Sequence, residues 1–143
     1  MEIDGIFNST VGLLGKSIDL RAKNQNLISS NVANAETPNF VPKTLAFEQE
    51  LQGAMKSRQS AQHASTRNPR HIPVRNAGAN SSIQAVTGTV IETPTKTPGK
   101  DGNAVELEDE MSKLAENQIM FNASVQMLNK EFDRLRIAIR GTL

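Results

Sequence analysis

Apolar side chains recur every fourth and then third residue over the last forty positions of the chain. The row is Leu107, Met111, Leu114, Gln118, Phe121, Val125, Leu128, Phe132, Leu135 and Ile139. Only Gln118 interrupts it, and no Gly or Pro falls between Asn103 and Arg140. The spacing predicts one long helix with a narrow apolar stripe of the coiled-coil kind. Such a stripe cannot bury itself, so the helix needs a partner. A candidate stands at the other end of the chain. Phe7, Val11, Leu14, Ile18, Arg21, Gln25, Ile28 and Val32 follow the same count, and Ile6, Leu13, Leu20 and Leu27 form a second column seven apart. The N-terminal stripe is therefore the wider one, as expected of a helix with more than one neighbour. Thr10, Ser17, Asn24 and Asn31 make a small polar column beside it, either a close-approach face or plain surface. Periodicity alone leaves two readings level: a helical hairpin inside a globular domain, or a surface for assembly.

The punctuation sets the rest. The first helix is expected over residues 3–33, with Asp4 as N-cap and Gly5, Gly12 and Gly15 weakening its first half. Thr37 precedes Pro38 and Val41 precedes Pro42, which pushes both out of helical conformation. Pro38-Asn39 reads as a turn with Asn39 at positive φ. A short helix is expected from Thr44 to about Arg58, with Leu45, Phe47, Leu51 and Met55 as its apolar residues. Residues 59–102 are rich in Pro, Gly, Ser and Thr, with two candidate strands, His71–Arg75 and Ile83–Glu92. Asp101-Gly102 makes a turn. Asn103 and Glu106 then resemble a capping box, acids fill the first turns, Arg134, Arg136 and Arg140 fill the last, and Gly141 stops the helix. That helix would hold about 38 residues and span roughly 57 Å. The fold class expected is mainly α: long N- and C-terminal helices in a coiled-coil-like pair, a short helix, and an irregular, partly β middle. The organisation expected is an assembly helix at 1–35, a middle at 36–102 and a second assembly helix at 103–143.

Composition narrows what such a chain does. Aromatic residues are 3% of the chain, with no Trp or Tyr, so a thick globular core is hard to build. Cys is absent, which excludes disulfides and thiolate chemistry. No apolar run approaches the roughly 20 residues of a membrane span. The N-terminus lacks a basic region, and Asn8, Ser9 and Thr10 interrupt its apolar stretch, so no cleavable secretory signal is expected. Net charge is +1 but uneven: residues 51–100 hold seven Lys/Arg against Glu92 alone, while both ends are mildly acidic. That pattern fits charge complementarity within an assembly or a solvated loop. His63 and His71 are the only histidines and stand in the Pro/Gly-rich segment without a matched acid. Glu106, Glu108, Asp109 and Glu110 follow no calcium-loop pattern. No catalytic, metal or cofactor constellation emerges, and an enzyme is not expected. Two other classes stay open: a cytoplasmic coiled-coil adaptor or chaperone, which would give a defined small oligomer, and a basic nucleic-acid-binding module over residues 56–75, whose binding would fall steeply with salt.

Two stretches resemble a known family. Ser29-Ser30-Asn31-Val32-Ala33-Asn34-Ala35-Glu36-Thr37-Pro38-Asn39-Phe40 is similar to the N-terminal motif of the flagellar axial proteins, with Asn39 where Gly is usual. Asn tolerates the same backbone conformation. Asp101-Gly102-Asn103-Ala104-Val105-Glu106-Leu107-Glu108-Asp109-Glu110-Met111, followed by Leu114-Ala115-Glu116-Asn117-Gln118 and Phe121-Asn122-Ala123, is similar to the opening of the terminal helix in the rod proteins, the proximal ones above all. The resemblance covers about residues 1–50 and 100–143. It implies a structural subunit of the basal-body rod, packed through both terminal helices in a tubular helical lattice and exported by the flagellar type III apparatus without a cleaved signal. The implied partners are copies of itself, the rod proteins FlgC, FlgF and FlgG, the adapter FliE and export-gate or MS-ring components; no nucleic acid, no membrane span and no cofactor are implied. The assembly interface would comprise Phe7, Val11, Leu14, Ile18, Leu27, Ile28 and Val32 with Leu107, Met111, Leu114, Phe121, Val125, Leu128, Phe132, Leu135 and Ile139. Asn31, Ala33, Asn34, Thr37, Pro38 and Phe40 carry the family motif and would set the bend leaving the first helix.

Overall fold

The first helix, α1, spans Thr10–Ala33 in the computed structural model, which describes residues 10–62, 83–94 and 102–141. The expected start near Asp4 and the candidate strand His71–Arg75 lie outside those residues. After α1 come strand β1 (Lys43–Ala46), helix α2 (Glu48–Gln62), strand β2 (Thr89–Glu92) and helix α3 (Leu107–Arg140). The chain is mainly α, with a long helix toward each end and a two-stranded antiparallel sheet between them.

The wide stripe of α1 is used by two neighbours. On one side it packs along α3. Asn31 Nδ2 donates to Glu110 Oε2 (2.7 Å), and Asn117 Nδ2 donates to the Arg21 carbonyl (3.0 Å) and to Gln25 Oε1 (2.9 Å). Facing residue numbers therefore sum to about 140, so the helices run antiparallel. On its other side α1 carries the small core. Leu20 is fully buried with Leu45, Phe47 and Val86, and Leu27, Leu51 and Ala54 pack around them. The sevenfold column of Leu20 and Leu27 thus serves the sheet and α2, while the row of Gln25 and Ile28 serves α3. Arg21 lies at the border, its guanidinium 5.6 Å from the Phe47 ring centre and 3.6 Å from Glu48 Oε1.

Local signals explain the turns. Asn39 takes φ 57°, the left-handed conformation expected of the Pro38-Asn39 turn. Gly141, at φ 64°, ends α3 and donates its N–H to the Ile137 carbonyl (2.9 Å).

Three segments depart from expectation. Residues 43–46 form β1 rather than the first turn of a helix, and α2 begins only at Glu48. Pairing with β2, 45 residues away at the Leu45–Val90 step, overrides local propensity there. Residues 83–85 form a helical turn, and only Thr89–Glu92 of the expected strand is extended. Gly88 separates the two at φ 69°. The start of α3 is Leu107 rather than Asn103. Its N-cap Glu106 is extended and makes no side-chain cap bond. The Asn103 carboxamide is occupied elsewhere, accepting from the Val105 N–H (2.9 Å) and donating to the Ala35 carbonyl. The helix consequently has 34 residues and spans about 51 Å.

Gly88 yields a test of the small core. A Cβ there would stand 3.0 Å from Leu45 Cγ and 3.1 Å from Phe47 Cβ, on a backbone that side chains rarely adopt. Gly88→Ala is expected to cost about 1–3 kcal/mol of stability, read as a lower urea midpoint by circular dichroism.

Candidate assembly surface

The family motif sits where three elements meet. Asn31, the only motif residue wholly buried, leaves α1 with its side chain between β1 and α3. Its Nδ2 donates to the Lys43 carbonyl (2.8 Å) and to Glu110 Oε2 (2.7 Å), and its Oδ1 accepts the Lys43 N–H (3.0 Å). Lys113 Nζ closes the other side of the carboxylate, 2.6 Å from Glu110 Oε1. Glu110 is 2% exposed, and two charge-assisted bonds stabilise it there. Asn34 Nδ2 donates to the Ser30 carbonyl (2.8 Å), and the Thr37 hydroxyl donates to Asn34 Oδ1 (3.2 Å). Thr37 and Pro38 are exposed, Phe40 is half-buried, and the Ala104 N–H donates to the Phe40 carbonyl (3.2 Å). The bend is thus tied to both ends of the chain by amides.

These buried amides follow a sequence signal that apolar periodicity passes over. Asn103, Glu110 and Asn117 are seven apart, and all three are buried. Asn24 and Asn31, the end of the polar column on α1, are also seven apart, and both bind β1 backbone: Asn24 Oδ1 accepts the Leu45 N–H (3.2 Å). Polar residues at heptad spacing in an otherwise apolar helix mark a register-setting row.

The apolar residues expected at the interface divide into two groups. On α1, Ile28 is buried and Val11, Leu14, Ile18, Leu27 and Val32 are half-buried, while Phe7 lies outside the described residues. Ala33 is exposed and Asn34 half-buried. On α3, Leu114, Phe121, Val125, Leu128 and Leu135 are half-buried. Leu107, Met111, Phe132 and Ile139 are exposed, by 44% to 79%. Carried along α3, the antiparallel register places Leu128 opposite residues 12 and 13.

Sequence periodicity missed a second apolar surface on α3. Ile119, Met120, Met127 and Ile137 are exposed as well, by 45% to 67%. They lie a quarter to half a turn around the helix from the row led by Glu110 and Asn117. A helix apolar on several sides while packed against one neighbour is suited to contacts with others.

The groove between α1, β1 and α3 is lined by residues that include Arg21, Asn24, Phe47, Glu48, Lys113 and Asn117. Among the described residues no cluster of His, Cys, Asp or Glu could hold a metal. Among the same residues no helix is long and apolar enough to cross a membrane.

Comparison with known proteins points the same way. The chain is 29% identical to the flagellar basal body rod protein FlgB of Bacillus subtilis over 136 residues, covering 95% of this chain and 97% of that protein. It is 30% identical to the protein of the same name from Cereibacter sphaeroides over 135 residues, covering 94% and 97%. The Proteus mirabilis protein, also named FlgB, is 28% identical over 119 residues, covering 81% and 82%. No protein-family model matches the chain.

Proposed function

The chain belongs to the family of the flagellar basal body rod protein FlgB, and from that premise we propose that it is a structural subunit of the bacterial flagellar rod. It works at the basal body by packing, not by catalysis. The observation that carries this reading is the set of large apolar side chains left exposed along α3 although that helix already packs on α1. Burial of such side chains is worth about 25 cal/mol per Å², so a surface of this kind favours association with further subunits.

The finer reading is a proximal-rod subunit in a helical tubular lattice that links the export apparatus and MS ring to the distal rod. In it, residues 1–35 and 103–143 are the assembly helices and 36–102 the intervening part. Neighbours are copies of the chain, the rod proteins FlgC, FlgF and FlgG, the adapter FliE and export-gate components. The route outward is the flagellar type III system, without a cleaved signal. A head-to-tail contact that does not close generates such a lattice.

Leu128 tests the reading, because it lies on the α1-facing row of α3 and is half-buried there. Leu128→Asp is expected to abolish rod assembly and swimming while the chain stays soluble. Basal bodies counted by electron microscopy and the diameter of a soft-agar halo check it. A variant that swims at the parental rate would contradict the role given to this row.

A further inference from the structure

A two-stranded sheet has two outer edges, and this one treats them differently. The Thr93 N–H donates to the Pro42 carbonyl (2.9 Å), which makes residues 42 and 93 a hydrogen-bonded pair. Alternation along an antiparallel ladder puts pairs 44–91 and 46–89 in the same class and turns the N–H and C=O groups of residues 43, 45, 90 and 92 outward. On β1 the amides of α1 take these groups. Asn31 holds both the N–H and the carbonyl of Lys43, and Asn24 accepts the Leu45 N–H. On β2 the outward groups of Val90 and Glu92 meet no partner among the described residues. All four residues of β2 are exposed, Val90 by 52% and Ile91 by 43%. A bare edge with apolar side chains is a template for another strand.

We infer that the outer edge of β2 is a strand-addition site that takes an extended segment of a second copy of the chain. Charge selects this occupant. Glu92 on the strand and Glu50 beside its start are exposed, and Glu50 Oε2 accepts the Gly88 N–H (3.2 Å). Between residues 51 and 91 the sequence holds Lys56, Arg58, Arg67, Arg70 and Arg75 and no acid. Each copy therefore offers the basic stretch that complements the acidic rim of the next. Within that stretch, outside the described residues, Ile72 and Val74 alternate around Pro73. An added strand presents every second residue to its template. With residues 72 and 74 toward β2, position 73 faces away, where the missing proline N–H costs nothing and blocks a further strand. The inference rests on the self-association proposed above and adds a sheet contact to the helical ones.

The absence of cysteine makes the test clean. Full-length Val90→Cys is combined with an epitope-tagged copy carrying Ile72→Cys or Val74→Cys, and the mixture is oxidised both as purified protein and in assembled basal bodies. Paired cross-strand residues have Cα separations of about 5.5 Å, within disulfide reach. Mixed disulfide dimers are expected, and none with Lys23→Cys on exposed α1 as the control partner. Adding Glu92→Pro to the Val90→Cys chain removes one outward N–H without touching the ladder to β1. It should cut dimer yield about tenfold with the helical dichroism unchanged. Absence of mixed dimers in both preparations overturns the inference. So does closure of the disulfide within one chain in the Ile72→Cys/Val90→Cys double variant. Rod counts and swimming, scored alongside, separate loss of this contact from loss of the rod reading itself.

Discussion

Asn31→Ala lowers the unfolding free energy by about 2–4 kcal/mol, although it removes only a small polar side chain. Three hydrogen bonds disappear together: those to the Lys43 carbonyl, from the Lys43 N–H and to Glu110 Oε2. Leaving a buried polar group unmatched costs roughly 1–3 kcal/mol, and more when it is charged. Lys43 is exposed, so water recovers part of its loss, but Glu110 is 2% exposed and keeps only Lys113. The charged partner therefore decides the size of the effect. Urea unfolding followed by far-UV circular dichroism gives the difference. A double-mutant cycle with Glu110→Ala gives the coupling, which should be sub-additive by more than about 1 kcal/mol because the two residues share one network. Thr37→Ala is the contrast, since its exposed hydroxyl bonds only Asn34 and is worth about 0.5 kcal/mol. Equal losses for Asn31→Ala and Thr37→Ala would mean that the buried amide does not hold the three elements together.

The same network shows where the sequence could be read and where it could not. The two apolar columns of α1 were legible because a helix of 24 residues repeats its pattern often enough to separate two faces. What periodicity could not say is that both faces find partners within the chain, α3 on one side and the Leu45, Phe47 and Val86 cluster on the other. The turn after α1 was legible from Pro38 and Asn39, because proline and a left-handed asparagine act locally. Strand β1 was not. Its four residues repeat too few times to fix a period, and its extended form depends on β2 and on the amides of Asn24 and Asn31, all distant in sequence. The start of α3 misled for a related reason: Asn103 and Glu106 carry the letters of a capping box, but a tertiary contact with Ala35 occupies the Asn103 side chain. Local chemistry predicted local geometry, and failed where a polar side chain was recruited from afar.

The candidate site has the same asymmetry, and it leads to the second large effect. A narrow stripe on α3 was expected, yet Glu110 and Asn117 occupy the face nearest α1, and Met120 and Met127 stand about a quarter-turn away from it. In the single chain both methionines are exposed, so Met120→Asp with Met127→Asp should change its stability by no more than about 1 kcal/mol. In an assembly that covers them the result differs in kind, because a carboxylate forced into an apolar contact without a partner costs several kcal/mol, enough to stop each subunit from adding. The double variant should therefore melt at the parental temperature, yet yield no rods and no swimming halo. Met127→Leu, which keeps the apolar volume, should swim normally. If the double aspartate variant swims, this flank of α3 faces water in the finished structure, and the subunits join through other surfaces.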